Sequence, residues 1–227
     1  MVPATRRHAA LAVVCAVALA GASGCGGGGG TTISTPTTSA TAMSSPGGQT
    51  YASKAFVLPL TIAVDSALKT PPSLDSRNLL SWDAAASDDN KVRFLVPVEL
   101  YRPGSSKPEA PPKDYLTYLR GFTKANAQMS NLDKVTIDGR TATLMDLTWD
   151  TDAGHPEGYF DGALGCPIAG ADQADGCYGP QPDLVLRLAV VDMGDTTLLA
   201  WARMSRQSPD RSFAAAFERM LTTIRFR

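Results

Sequence analysis

Histidine is nearly absent: the 227 residues hold two, His8 and His155. A metal site built on several imidazoles is excluded, and a Ser-His-Asp triad in residues 51–227 would have to use His155. Charge is sparse and balanced, with 21 Lys+Arg against 22 Asp+Glu and a net charge of −1. Nonspecific nucleic-acid binding needs a basic face, so that class is excluded. No apolar run approaches the ~20 residues that span a bilayer; the stretch Ala9–Ala20 has 12. Catalytic signatures are missing as well. Residues 51–227 contain no G-x-S-x-G and no H-E-x-x-H, and no G-K-[ST] turns the glycine run 26–30 into a P-loop. Nothing in the composition calls for a cofactor.

The N-terminus has the layout of a bacterial export signal. Arg6, Arg7 and His8 form a basic n-region, Ala9–Ala20 an apolar h-region, and Gly21-Ala22-Ser23-Gly24 a small-residue cleavage region. Ala22-Ser23-Gly24-Cys25 resembles the lipobox of bacterial lipoproteins, in which the cysteine is acylated and becomes the first residue; Ala22 stands where Leu is usual. Residues 1–24 thus read as a lipoprotein signal peptide and Cys25 as the lipidation site. The alternative is plain secretion, with Cys25 a free thiol.

Four cysteines are present. Cys15 leaves with the leader and Cys25 takes lipid, which leaves Cys166 and Cys177. A remaining pair in an oxidising compartment reads as a disulfide. Closing a loop of about a dozen residues stabilises by roughly 3 kcal/mol in the chain-entropy view.

Residues 25–50 read as the lipidated cysteine followed by a Gly/Ser/Thr/Pro tether. Eleven of the 25 residues in 26–50 are Ser or Thr and none is charged. Such a segment cannot bury enough apolar surface to offset its ordering entropy. A flexible chain of that length reaches about 25–30 Å.

Residues 51–227 read as a single α+β domain. Phe56, Leu58, Leu60, Ile62 and Val64 alternate, so 55–64 is an expected strand. Asn78–Ala84 and Val92–Leu100 are two more, and Pro97 within the last implies an edge or a bulge. Tyr115, Leu116, Leu119 and Phe122 share a helical face. Asp138-Gly139 between apolar alternations predicts a type I′ hairpin, and Leu184–Met193 with Thr196–Met204 a second hairpin. A final helix starts near Ser208-Pro209-Asp210, with Ser208 as the expected cap. Phe213, Ala216, Phe217, Met220, Leu221 and Ile224 form its apolar stripe. Hairpin-linked strands with amphipathic helices define an antiparallel sheet with helices packed on it.

Two motifs carry a resemblance: the turn Ile137-Asp138-Gly139-Arg140-Thr141-Ala142, and the closing stretch Phe217 to Phe226, F-x-x-M-L-x-x-I-x-F. With the element order they resemble the PsbP-like fold of the extrinsic photosystem II protein and a Ran-binding nuclear transport factor. The resemblance covers about residues 54–227 and implies a PsbP-like α/β layered sandwich that serves as a binding scaffold, with no reaction. The insert around Cys166 and Cys177 departs from it. The whole chain is also similar to the uncharacterised cell-envelope lipoproteins of actinobacteria.

Two charged regions remain. Residues 150–183 hold seven carboxylates and no Lys or Arg. Asp150, Asp152 and Asp161 weakly imitate an EF-hand, but His155 occupies the sixth position, where Gly is required. The open readings are a weak Ca²⁺ site and a solvated loop. Residues 203–227 hold six Arg against Asp210 and Glu218; the readings are a surface that docks on anionic polymer or lipid, and a solvated helix face. The expectation is an exported lipoprotein held to the bilayer by acylated Cys25. It would lie on the outer face of the cytoplasmic membrane, in the periplasm or cell envelope. Its noncatalytic domain would bind an envelope protein, glycan or lipid. The alternative is a hydrolase using loop carboxylates. Labelling with a palmitate analogue is expected to mark the wild-type chain and not Cys25→Ser; an unlabelled wild type would remove the anchor.

Overall fold

The computed structural model describes residues 48–125, 127–150 and 162–227. Cys25, Asp152, His155 and Asp161 lie outside them. In chain order the strands are β1 (Gln49–Ala52), β2 (Leu60–Val64), β3 (Leu74–Asp75), β4 (Leu79–Asp83), β5 (Lys91–Leu95), β6 (Leu100–Tyr101) and β7 (Pro108–Glu109). After them come β8 (Ala127–Ile137), β9 (Arg140–Trp149), β10 (Leu184–Asp192), β11 (Thr197–Ser205) and β12 (Arg225–Phe226). Helices are α1 (Tyr115–Arg120), α2 (Gln173–Gly176) and α3 (Arg211–Thr223), with a 3₁₀ segment, Gly121–Ala125, continuing α1.

Seven strands form one antiparallel sheet in the order β3-β4-β5-β11-β10-β9-β8. A three-stranded sheet, β1-β2-β12, joins both ends of the domain. The Asp138-Gly139 turn has φ of 48° and 78°, so both central residues are left-handed, as a type I′ turn requires.

The large sheet is covered on both faces. On one, α3 and the three-stranded sheet pack over Trp82, Phe94, Ala189, Ala200 and Ala202. On the other, α1 and residues 163–164 pack over Leu95, Leu147, Trp149, Leu188 and Trp201. This explains why β10 reads Leu-Val-Leu-Arg-Leu-Ala-Val-Val with no polar alternation: all eight residues are buried. The α3 side carries the small residues Ala142, Ala189, Ala200 and Ala202, which leave room for Phe213, Phe217, Met220 and Leu221 of the helix.

Several expected boundaries move. Residues 55–59 are not strand; the backbone N–H groups of Lys54 and Ala55 turn aside to donate to Asp75, and β2 starts only after Pro59. The strand expected over 92–100 is two, β5 and β6. Pro97 interrupts them because it has no N–H to donate, and β5 lies in mid-sheet, not at an edge. The α3 cap is Asp210, not Ser208: one oxygen of Asp210 accepts from the Ser212 and Phe213 N–H groups at 2.9 and 3.0 Å. Most of β8 is exposed, so apolar periodicity shows only its end, Val135 to Ile137, and the strand runs back to Ala127. Overfilling the α3 seam should cost about 1–3 kcal/mol. Ala202→Leu is therefore expected to lower the urea midpoint, while Leu132→Ala on exposed β8 should leave it nearly unchanged.

Candidate functional site

Arg187 is the odd residue of β10. Its place in the alternation points it to the α3 side, where it is almost wholly buried. A buried guanidinium needs partners, and three elements supply them. Its Nε donates to Glu218 Oε1 of α3 at 2.7 Å, and Nη1 donates to Asp146 Oδ1 of β9 at 3.2 Å and to the Asn131 carbonyl of β8 at 2.9 Å. Asn131 reaches it because β8 bulges between Ser130 and Asp133, with Asn131 at φ 49°. The Asn131 amide then donates to the second Asp146 oxygen at 2.6 Å.

This network lines a cavity of about 520 Å³ between the sheet and the first turns of α3, with Val185, Met204, Pro209 and Ala214 as apolar wall. Arg187 Nη2 donates to no described residue, and it is not sealed from solvent. The cavity thus offers one guanidinium edge as donor and Glu218 as a half-exposed acceptor. Its volume falls within the range of small-molecule pockets, about 300–1,000 Å³. A second cavity, of about 490 Å³, lies between Pro97, Pro111, Lys113 and the Gly194–Thr197 turn, and its charged side chains, Lys113 and Asp195, are exposed.

The residues singled out from the sequence are placed differently. The sulfurs of Cys166 and Cys177 stand at disulfide distance, 2.00 Å. The described part of the acidic segment, Asp150 and 162–183, is only partly a solvated loop: Asp172, Asp175 and Asp183 are exposed, but residues 162–166 are buried. Ala163 and Leu164 are in the core, and the backbone bonds Cys166 N–H to Glu99 O and Val98 N–H to Cys166 O attach the segment to the break between β5 and β6. The Tyr118 hydroxyl donates to the Ala163 carbonyl at 2.9 Å. Burial pushes the Tyr115 and Tyr118 phenols well above their usual range. Gly165 sits at φ 127° with Pro97 so close that a Cβ would meet it at 2.5 Å, which only glycine permits.

Among the described residues no group of three or more His, Cys, Asp or Glu could hold a metal. The arginines of 203–227 do not form one patch. Arg206 donates to the Trp149 carbonyl, Arg219 pairs with Asp65, Arg225 approaches Asp138, and Arg227 reaches the Ser53 carbonyl. Trp82, Trp149 and Trp201 are core residues. The chain does contain one S-x-x-K spacing, Ser66 to Lys69. It follows β2 at the surface, where Lys69 pairs with Asp88 at 2.7 Å and not with Ser66. No helix among the described residues is long and apolar enough to cross a membrane.

Arg187 is not among the residues that the sequence motifs single out, although a charge inside an apolar strand is a signal that marks it. Its partners leave no such signal, because the bulge at Asn131 and the register with Asp146 are not written in local periodicity.

No family model matches the chain, and no curated protein matches it. Among solved structures it is similar to a protein of unknown function from Pseudomonas aeruginosa, at 13% identity and TM-score 0.33, over 70% of this chain and 85% of the other. It is similar also to PsbP from the cyanobacterium Synechocystis, at 8% identity and TM-score 0.37, over 74% of this chain and 86% of that one. At these TM-scores neither enters the functional reading.

Replacing Arg187 by Met strands two partly exposed carboxylates and a carbonyl, at a cost of about 1–3 kcal/mol. Glu218→Gln keeps an acceptor at the rim and should cost under about 1 kcal/mol. Urea denaturation compares them, and equal losses would mean that Arg187 is not the centre of the network.

Proposed function

We propose that this chain is an extracytoplasmic lipoprotein, anchored through Cys25, whose domain is a noncatalytic binding or accessory module. One observation carries the binding role: a buried arginine, held from three elements, keeps an unbonded edge beside a cavity of about 520 Å³. A guanidinium needed only to tie α3 to the sheet would be served by Glu218 and Asp146 without an open space beside it. Asp146 and Glu218 are both engaged by Arg187, which supports binding over hydrolysis as their use.

The export signal, the lipobox-like Cys25 and the uncharged tether support the location. The pairing of Cys166 and Cys177 fits an oxidising compartment. The ligand would be a small polar group, or a polar protrusion of an envelope protein, glycan or lipid.

A photo-crosslinking amino acid at Ala215, exposed on the cavity rim, is expected to give a discrete adduct in intact cells. The same group at exposed Val57, which does not line the cavity, should give none. Equal labelling at the two positions, or none at Ala215, would overturn the reading.

A further inference from the structure

The opposite face of the sheet has a cluster of its own. Its covered part, under α1 and residues 163–164, ends toward Asp83, Lys91 and Arg203. In the β4-β5-β11 register Asp83 lies opposite Lys91, and Lys91 opposite Arg203. Arg93 lies opposite Ser81 and Trp201, one pleat further in on the same face. Arg93 and Arg203 are therefore diagonal neighbours on adjacent strands, within reach of one another for long side chains.

Their partners do not balance them. Lys91 is taken up by Asp83. Arg203 donates through Nε to the Asp89 carbonyl at 3.0 Å, and its Nη groups have no described partner. Arg93 lies over the Tyr178 ring, 4.7 Å from its centroid, and makes no hydrogen bond or ion pair to a described residue. Tyr178 in turn rests against Trp201, at 5.7 Å. Among the described residues of these strands, the cations Lys91, Arg93 and Arg203 thus meet one carboxylate, Asp83, while Asp88 of the adjoining turn is paired with Lys69. Burial pulls the Arg93 guanidinium below its usual range, and the charge of Arg203 acts in the same direction, against Tyr178 and Asp83. Keeping a desolvated cation next to a second cation is unfavourable unless something anionic completes the site.

We propose that Arg93 and Arg203, with Tyr178 as a rigid shelf under Arg93, form a binding site for a phosphate group. Each guanidinium is a planar fork that matches phosphate oxygens bidentately. Two forks on adjacent strands suit a tetrahedral oxyanion with three or more oxygens, whereas a carboxylate fills only one. The two positive charges left after Lys91–Asp83 pairing match a phosphate monoester. The site lies across the sheet from the α3 cavity and does not depend on it.

The test is calorimetric titration of the full chain with inorganic phosphate and, separately, acetate. Phosphate is expected to bind, acetate at least tenfold more weakly, and phosphate affinity to fall at least tenfold in Arg203→Gln. Arg93→Gln should do the same; because Arg93 packs on Tyr178, that variant counts only if its circular dichroism matches wild type, and Arg203→Gln keeps the test open otherwise. Sedimentation with phosphatidylcholine vesicles, with and without phosphatidic acid, separates the sources. Retention that needs phosphatidic acid and is lost in Arg203→Gln assigns the phosphate to a lipid headgroup. Heat with inorganic phosphate and no such retention assigns it to a soluble phosphate. No binding in either assay, equal binding of acetate, or phosphate binding unchanged in Arg203→Gln would overturn the proposal.

Discussion

Covering both faces of the seven-stranded sheet is the constraint from which the rest of the domain follows. An antiparallel sheet can leave one face in water, and its strands then alternate apolar and polar residues. Here the central strands cannot, because α3 with the small sheet covers one side and α1 with residues 163–164 covers the other. Any charged residue in those strands must find partners inside the layers or at the ends of the sheet. Arg187, Arg93 and Arg203 are such residues, and both candidate sites are built around them.

The two faces solve packing differently. Beneath α3 the strands present alanines, and the bulk comes from the helix and from Trp82 and Phe94. Under α1 the strands bring Leu, Met and Trp, and the cover is thin: a short helix and a segment attached by backbone hydrogen bonds. That segment passes Pro97, where β5 has lost its ladder. The backbone of Val98 and Glu99 beyond the proline becomes the attachment point for Cys166, while Leu164 and Gly165 bond to Tyr178. A local break in one strand thereby positions the neighbourhood of Cys166 and, through Gly165 and Tyr178, the ring beneath Arg93.

Legibility followed the range of the interactions. The Asp138-Gly139 hairpin, the β10–β11 pair and the apolar stripe of α3 were readable because turn chemistry and periodicity are local. Two local patterns mislead. The alternation over 55–64 is cut by Pro59 and by the capture of Lys54 and Ala55 by distant Asp75. Ser208 precedes Pro209 as a cap would, yet Asp210 accepts the helix N–H groups. Of β8 only the end that enters the hairpin, Val135 to Ile137, was readable, because the rest of this exposed edge strand has little apolar pattern to show. The +4 charge of residues 203–227 does not become one patch, since Arg206, Arg219, Arg225 and Arg227 each meet a partner far away in sequence.

By itself the sequence determined the α+β class, the Asp138-Gly139 hairpin and the pairing of Cys166 with Cys177. All of these rest on composition, spacing or periodicity, which are properties of short stretches of chain. Tertiary structure alone decided that Arg187 meets Glu218 and Asp146 across three elements, and that Arg93 and Arg203 stand diagonal to one another on adjacent strands. Such meetings depend on strand register and on which layer covers which face. Residues 41, 31 and 110 positions apart in the chain become neighbours only when the sheet closes.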